Sequence, residues 1–403
     1  MHPVTQGPSI SPSESIVETK RQIENDHRPL TRRMNDFGFK LYSEVMQAKE
    51  GNALISTPSA FFSLAMAYLG ATGNTFEEMK KTLEMPETIV EILKPIKILT
   101  ENLSDGEIVN IANNIFVSDR IEVSKFYQDE LLNVFGASSK QINFTENTQA
   151  AKTINQWVED KTNNKIHQLV QADMFNKDTA AVLVNAIYLL ADWKIPFNSR
   201  FTRDCEFYVD EDTSITTPMM YEKGYFNYYS NDDFSMIELP YKEADSKVRS
   251  LSMYIYLPHD GKNLSDIEAK LSSKNLSSWL RSTSSALVAL KLPKFTVEST
   301  NYLSDGLKSL GMVDAFNDPE AEFSKITKHK DFKIDDVVQK TYIKVDETGT
   351  EAAAATTVSI ANFATSVQPK PMRFYANKPF SFMAVDKISE TVLFTGKVTN
   401  PAE

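Results

Sequence analysis

Five histidines, His2, His27, His167, His259 and His329, and one cysteine, Cys205, are the residues of this 403-residue chain best suited to act as nucleophile, general base or soft metal ligand. No two histidines stand at metal-ligand spacing, and a lone cysteine can close no internal disulfide. Cys205 reads as a small packed residue rather than a reactive thiol. A nucleophile elbow, a phosphate-binding loop and a dinucleotide fingerprint are all absent from the sequence. The chain is therefore expected to carry no catalytic residue, no metal and no cofactor.

The unusual chemistry lies instead in a segment from Glu347 to Pro371, long for a connection between two strands. Taken every second residue, Thr350, Ala352, Ala354, Thr356, Val358 and Ile360 form one face, all small or β-branched. Glu351, Ala353, Ala355, Thr357 and Ser359 form the other, small and polar. That is the pattern of a strand packed on one side, which a flexible alanine-rich linker would not need. Gly349 supplies a pivot at its start, and alanines slide between existing strands with little steric obstruction.

Composition limits what such a segment can serve. With 43 basic and 54 acidic residues the formal charge is −11, which repels phosphate backbones and anionic lipid, so neither nucleic acid nor membrane is an expected partner. The densest apolar run, Val182 to Ala191, is interrupted by Asn185 and is too short to span a bilayer. Met1 to Ser15 contain no apolar core of a signal peptide, so the chain as given reads as mature or intracellular. Secretion is the working expectation and an intracellular site the alternative. Sequons begin at Asn102, Asn143, Asn263 and Asn275, a number that chance alone would supply in a chain rich in Asn, Ser and Thr.

The elements that position the segment follow from periodicity. Residues 1–29 are polar and aperiodic and are expected to be a disordered extension, with the folded domain over 30–403. Met34, Phe37, Leu41 and Val45 define an amphipathic helix, whereas Phe61 to Leu69 is apolar on all sides and must be buried. Thr75 with Glu78 resembles a capping box opening the next helix. Helical patterns continue over Ser124 to Phe135, stopped by Gly136, and Thr148 to Lys161. The second half turns strand-like at Ala180 to Leu190, Phe234 to Tyr241, Leu251 to Leu257, Ala286 to Val297, Val337 to Val345, Phe380 to Val385 and Thr391 to Thr395. A helix over Tyr302 to Leu310 interrupts them. No repeat and no second linker is visible, which gives one α+β domain.

From Met34 to Pro401 the chain resembles the serpins. The resemblance rests on the hinge Glu347, Gly349, Thr350, Glu351 and Ala352 to Ala355, and on the block Ala376, Asn377, Lys378, Pro379 and Phe380 through Leu393, Phe394, Gly396 and Pro401. Asn52 to Gly70, Asn185 to Phe197 with Trp193, Pro218 to Met220, and Leu292 to Phe295 match in family order. The resemblance implies about nine helices, three β-sheets and a reactive-centre loop over about 347–371. A serine protease attacks such a loop, an acyl-enzyme forms, and the cleaved loop enters the largest sheet as a new strand. Glu347 to Phe363 would span roughly 56 Å at ~3.3 Å per residue, enough to drag the protease across the molecule. Losing an oxyanion donor slows ester hydrolysis by roughly 10² to 10³, and disabling the serine–histidine unit by on the order of 10⁶.

In the family the cleaved bond usually follows the residue sixteen positions after the hinge glutamate, here Phe363–Ala364, with Asn362 and Thr365 as neighbouring alternatives. Phenylalanine suits an apolar specificity pocket of the chymotrypsin type. Ser56, Ser59 and Asn185 match the shutter beneath the parting strands, and Trp193 the breach above them. Two departures stand there. Ser56-Thr57-Pro58-Ser59 replaces the usual Ser-Pro-x-Ser, and Gln339 replaces a histidine; glutamine donates and accepts but does not titrate. Leu189 and Leu190 replace a familiar aromatic and basic pair. Thr350, first to turn inward on insertion, is expected near the exposed base of the uncleaved loop.

The reading is a monomeric inhibitor that traps chymotrypsin-like serine proteases, with papain-like cysteine proteases as a secondary class. The rival is a non-inhibitory serpin acting as carrier, chaperone or store, which bulky or charged hinge residues would mark; an enzyme is third. Lys80, Lys81, Lys94 and Lys97 are candidates for weak glycosaminoglycan binding, but Glu77, Glu78, Glu84, Glu87 and Glu91 lie among them. Lys325, Lys328, His329 and Lys330 form a similarly weak cluster.

Overall fold

The computed structural model describes residues 12–47, 49–86, 90–103, 109–243, 250–350 and 370–403, with side chains from Arg28 onward except at Val90, Asn102 and Leu103. In chain order the described helices are α1 (Pro12–Gln47), α2 (Thr57–Gly70), α3 (Gly73–Thr82), α4 (Val90–Leu103), α5 (Lys125–Phe135), α6 (Asn147–Lys161), α7 (Leu264–Glu268), α8 (Ser273–Arg281) and α9 (Ser304–Ser309). The strands are β1 (Ala53–Ile55), β2 (Val109–Ser118), β3 (Ser139–Ile142), β4 (Ala181–Leu189), β5 (Ala191–Asp192), β6 (Arg203–Tyr208), β7 (Ser214–Ser230) and β8 (Phe234–Pro240). They continue with β9 (Leu251–Pro258), β10 (Ser284–Pro293), β11 (Phe295–Tyr302), β12 (Asp336–Val345), β13 (Gly349–Thr350), β14 (Met372–Tyr375), β15 (Phe380–Asp386) and β16 (Thr391–Val398).

Local chemistry accounts for most ends. Ser124 caps α5, its hydroxyl accepting from the Tyr127 N–H at 3.5 Å, and Gly136 closes the same helix at φ 59°. Two expectations change. Helix α1 begins at Pro12, so residues 12–29 are helical rather than an unstructured extension; Glu14, Lys20, Arg21, Gln22 and Glu24 favour helix without an apolar face, and Pro12 is tolerated in the first turn. Residues 1–11 lie outside the described residues. Helix α3 begins at Gly73, not Thr75. Glu322 explains this, its carboxylate taking the Asn74 N–H at 2.9 Å while the Thr75 hydroxyl accepts from the Glu322 N–H at 3.0 Å.

Pairing gathers the described strands into two ladders. The larger has nine strands in the order β1-β16-β15-β9-β8-β7-β10-β14, with β6 beside β7. The smaller has seven, β3-β2-β4-β12-β13-β5, with β11 beside β12. Two of the three expected sheets are fused because the 17-residue β7 pairs with β6 and β10 along most of its length and with β8 at its end, so the sheet expected to be the largest, which holds β4 and β12, is here the smaller ladder. In the smaller sheet β4 and β12 are parallel, from Val182↔Asp336 to Tyr188↔Tyr342. Helix α2, buried at all 14 positions, lies against β2, β4 and β16. On the sheet's opposite face, Ile154 and Val158 of α6 pack with Phe116, Val182, Val184 and Val338.

Candidate functional site

At the end of β12 the chain turns through Asp346 to Thr348 and re-enters the sheet at once. Gly349 and Thr350 form β13, with Thr350 paired to Val345 on one side and Ala191 on the other. Gly349 is required by proximity: a Cβ there would lie 2.1 Å from the Ala191 carbonyl oxygen and 2.7 Å from Asp192 Cα. Thr350, expected near an exposed loop base, is instead fully buried, its hydroxyl 2.7 Å from the Tyr241 hydroxyl. The space exists because β4 ends at Leu189, beyond which Trp193 and Tyr241 stack at 4.5 Å and 12°. Burial drives the Tyr241 phenol well above its ordinary pKa, so it stays neutral and can donate.

Trp193 holds the turn from two sides. Its indole Nε1 donates to the Asp346 carbonyl and its backbone N–H to the Thr348 carbonyl, each at 2.9 Å. Glu347 is held likewise: Lys294 Nζ lies 2.8 Å from one carboxylate oxygen, the Thr202 hydroxyl donates to the other at 2.8 Å, and the Phe197 N–H donates to its carbonyl at 2.8 Å. Burial opposes ionisation of Glu347, but Lys294 and the other donors outweigh it and hold the carboxyl below its ordinary value.

Further down, the predicted polar residues converge. Gln339 on β12 stands beside Asn185 on β4, flanked by Asn113 on β2 and Asn301 on β11, so four amide side chains share one rung. Gln339 uses both ends of its amide, Nε2 donating to the Ser56 carbonyl at 2.9 Å and Oε1 accepting from the Ser56 N–H at 3.0 Å. The Ser59 hydroxyl lies 3.2 Å from Asn185 Oδ1 and 3.4 Å from Asn113 Oδ1, to which Ser63 also donates at 3.2 Å. Asn185 Nδ2 is buried with no partner among the described residues.

Ser56, Ser59, Asn185 and Gln339 are thus brought together, and Trp193 bonds Asp346 and Thr348, on either side of Glu347, where Gly349 and Thr350 enter the same sheet. Glu351, Ala352, Ala353, Ala354, Ala355, Phe363 and Ala364 lie outside the described residues. Sequence reasoning missed Tyr241, Thr202, Lys294 as the partner of Glu347, and the flanking Asn113 and Asn301. An asparagine amid apolar neighbours in β2 was a signal for Asn113; the others depend on contacts between distant segments. His259 Nε2 approaches the Ser235 hydroxyl at 2.9 Å, but that hydroxyl is buried in β8 and already engaged by Tyr228 at 2.7 Å, which gives a substrate no approach. Among the described residues no three His, Cys, Asp or Glu gather to hold a metal, and no helix is long and apolar enough to cross a membrane.

Two ladders with α2 buried against the smaller, and a strand stub entering that sheet at the start of a long segment, define an α+β fold. The serpin family model, described as serine protease inhibitor, matches residues 32–401, and the chain belongs to the serpin family. It is 33% identical to antichymotrypsin-2 of Bombyx mori, covering 90% of this chain and 96% of that protein. Among solved structures it is similar to Serpin48, described as a highly specific serpin of the insect Tenebrio molitor, at TM-score 0.82 and 33% identity over 94% of this chain and 98% of that one. It is also similar to human thyroxine-binding globulin complexed with thyroxine, at TM-score 0.85 and 25% identity over 94% and 100% of the two chains.

Proposed function

We propose that this serpin inhibits chymotrypsin-like serine proteases as a single-use trap, offering Phe363–Ala364 for cleavage and drawing the cut loop into the smaller sheet between β4 and β12. One observation carries the reading: β13 already occupies the head of that slot, antiparallel to β12 and to β5.

Continuing the register of Thr350 with Val345 and Ala191, without a bulge, would bring Ala352 between Ile343 and Leu189 and Ala354 between Thr341 and Ile187. Thr356 would fall between Gln339 and Asn185, and Val358 between Val337 and Leu183. Every one of these eight receiving residues is fully buried, so the small alternating face would turn inward and the polar face outward. Thr356 would meet the amide rung, where its hydroxyl can accept from Asn185 Nδ2. In this account Ser56, Ser59, Asn185 and Gln339 act as the shutter that releases β4 from β12, Trp193 and Tyr241 form the breach, and Glu347 with Gly349 is the hinge.

The small hinge residues argue against the carrier or storage reading, since nothing in Ala352 to Ala355 would obstruct entry. Papain-like proteases remain secondary targets, because the same insertion would distort their thioester. Glycosaminoglycan binding through the α3–α4 lysines has little support, with Lys80 already 3.6 Å from Glu77. The domain is taken to act as a monomer outside the cell. Nicking the loop between Ala355 and Phe363 tests the reading: the thermal midpoint should rise sharply, and an unchanged or lowered midpoint would show that the loop does not insert.

A further inference from the structure

The two strands proposed to part are joined at their far end by one side chain. Asp335, immediately before β12, turns its carboxylate to the start of β4, where Oδ2 accepts from the Ala180 N–H at 2.6 Å and the Ala181 N–H at 3.1 Å. Its own N–H donates to the Ala181 carbonyl at 2.8 Å. Both backbone groups of Ala181 are therefore engaged by a single residue, while Lys333 Nζ lies 3.0 Å from the carboxylate's other oxygen, Oδ1. Bonds to an ionised acceptor are the stronger kind.

The neighbours of Asp335 anchor the base of β12 elsewhere. The Ser304 hydroxyl of α9 donates to Asp336 Oδ1 at 2.5 Å and its oxygen accepts from the Val337 N–H at 3.1 Å, and the Ile334 N–H donates to the Ala315 carbonyl at 3.0 Å. None of these three bonds crosses to β4. With β12 fixed to α9 and Ala315, the contacts of Asp335 are the ones that must break for β4 to move away at this end.

Register gives this clasp its consequence. Carried down the slot without a bulge, the pairing of Thr350 puts Val358 between Val337 and Leu183, and Ile360 between Asp335 and Ala181. An inserted strand that stops at Val358 leaves the clasp closed. One that reaches Ile360 needs the backbone groups of Ala181 for its own ladder, and those are the groups that Asp335 holds. The apolar side chain of Ile360 supplies no acceptor in exchange. These two residues carry the chain a further ~7 Å at ~3.3 Å each.

We propose that Asp335 is a latch at the far end of the slot, dividing insertion into an entry stage that reaches Val358 and a completing stage that begins when the carboxylate releases β4. The proposal rests on the insertion reading and deepens it. Asp335 acts as a positioning residue, setting how fast an attached protease is carried over the last part of its path while ester hydrolysis competes.

The probes are two synthetic peptides copied from the loop, Ala352–Val358 and Ala352–Ile360, each with an N-terminal fluorophore, annealed to the intact chain and followed by anisotropy. Asp335→Ala should speed annealing of the longer peptide about tenfold or more, because two hydrogen bonds to a charged acceptor no longer have to break. The shorter peptide stops above the latch and should change by less than about twofold. Asp335→Asn keeps an oxygen for the two N–H groups without the charge, so it should give the longer peptide an intermediate rate and serves if the alanine variant folds poorly. Asp336→Ala cuts the contact with α9 and should leave the ratio of the two rates as in the parent. Equal acceleration of both peptides by Asp335→Ala would mean a general loosening of the sheet and would overturn the latch, as would no acceleration of the longer one. A parent whose thermal midpoint fails to rise on loop cleavage sinks insertion and latch together. A midpoint that rises, with peptide rates that ignore Asp335, sinks the latch alone.

Discussion

Thr350 shows what one hydroxyl does at the loop base. Thr350→Val keeps shape but leaves the Tyr241 phenol buried without its partner, and should destabilise the native state by about 1–2 kcal/mol in denaturant melts. Thr350→Arg is harsher, because β13 is already inside the sheet: a guanidinium would be expelled from the breach, lowering the native thermal midpoint as well as blocking later insertion. That variant should be cleaved as a substrate and release active protease; near one-to-one trapping by it would contradict the insertion account. At the bait position, Phe363→Arg should weaken reaction with chymotrypsin and create reaction with trypsin, whose pocket ends in a carboxylate.

Glu347 adds a pH dependence of definite sign. Its carboxyl sits below the ordinary value of 4.5 in the folded chain, so its contribution to stability is present above that pH and is lost as pH falls through the folded value. Glu347→Gln should flatten the acid-side decline of the thermal midpoint. A decline identical to the parent's would place the acid sensitivity elsewhere.

The two sheets differ from strand to strand in what the sequence reveals and what it hides. Strands β4, β8, β9, β12, β15 and β16 are rich in apolar and β-branched residues and were read to within a few residues. The expected strand Ala286 to Val297 is two, β10 and β11, divided at Lys294, whose backbone N–H turns to the Pro218 carbonyl and whose ammonium binds Glu347. Strand β7 was invisible because Pro218 and Gly224 interrupt it and its pattern is largely polar. Asn110, Asn113 and Asn114 masked β2 in the same way, and two of them serve packing against distant segments that no local window contains. The alternation from Thr350 to Ile360 was legible because it is a local code, whereas the burial of Thr350 needed β5, Trp193 and Tyr241 in place. Thr356→Glu tests that code at the amide rung: a carboxylate between Gln339 and Asn185 should reduce the rise in thermal midpoint on loop cleavage and shift reaction with chymotrypsin towards substrate turnover.

At the scale of the molecule, the proposed insertion implies a chain held short of its most stable arrangement. Seven parallel rungs join β4 to β12, and loop insertion would replace them with two antiparallel ladders while burying Val358 and Ile360, each apolar side chain contributing about 1.5–3 kcal/mol. At about 1 kcal/mol net per added hydrogen bond, a gain of about 10 kcal/mol or more corresponds to a rise of roughly 10 °C on cleavage. On the proposed mechanism, the native state would be held by a narrow set of contacts: Gln339 on both backbone groups of Ser56, Ser59 under Asn185, and the Trp193 clasp on Asp346 and Thr348. The central claim is that cleavage and trapping are one event. Incubating the protein with active chymotrypsin, then separating the products under denaturing conditions and determining the mass of the released peptide, tests it most directly. The account predicts a covalent adduct stable to denaturation at near one-to-one stoichiometry and a released peptide that begins at Ala364. Complete loop cleavage with fully active chymotrypsin and no adduct would contradict it.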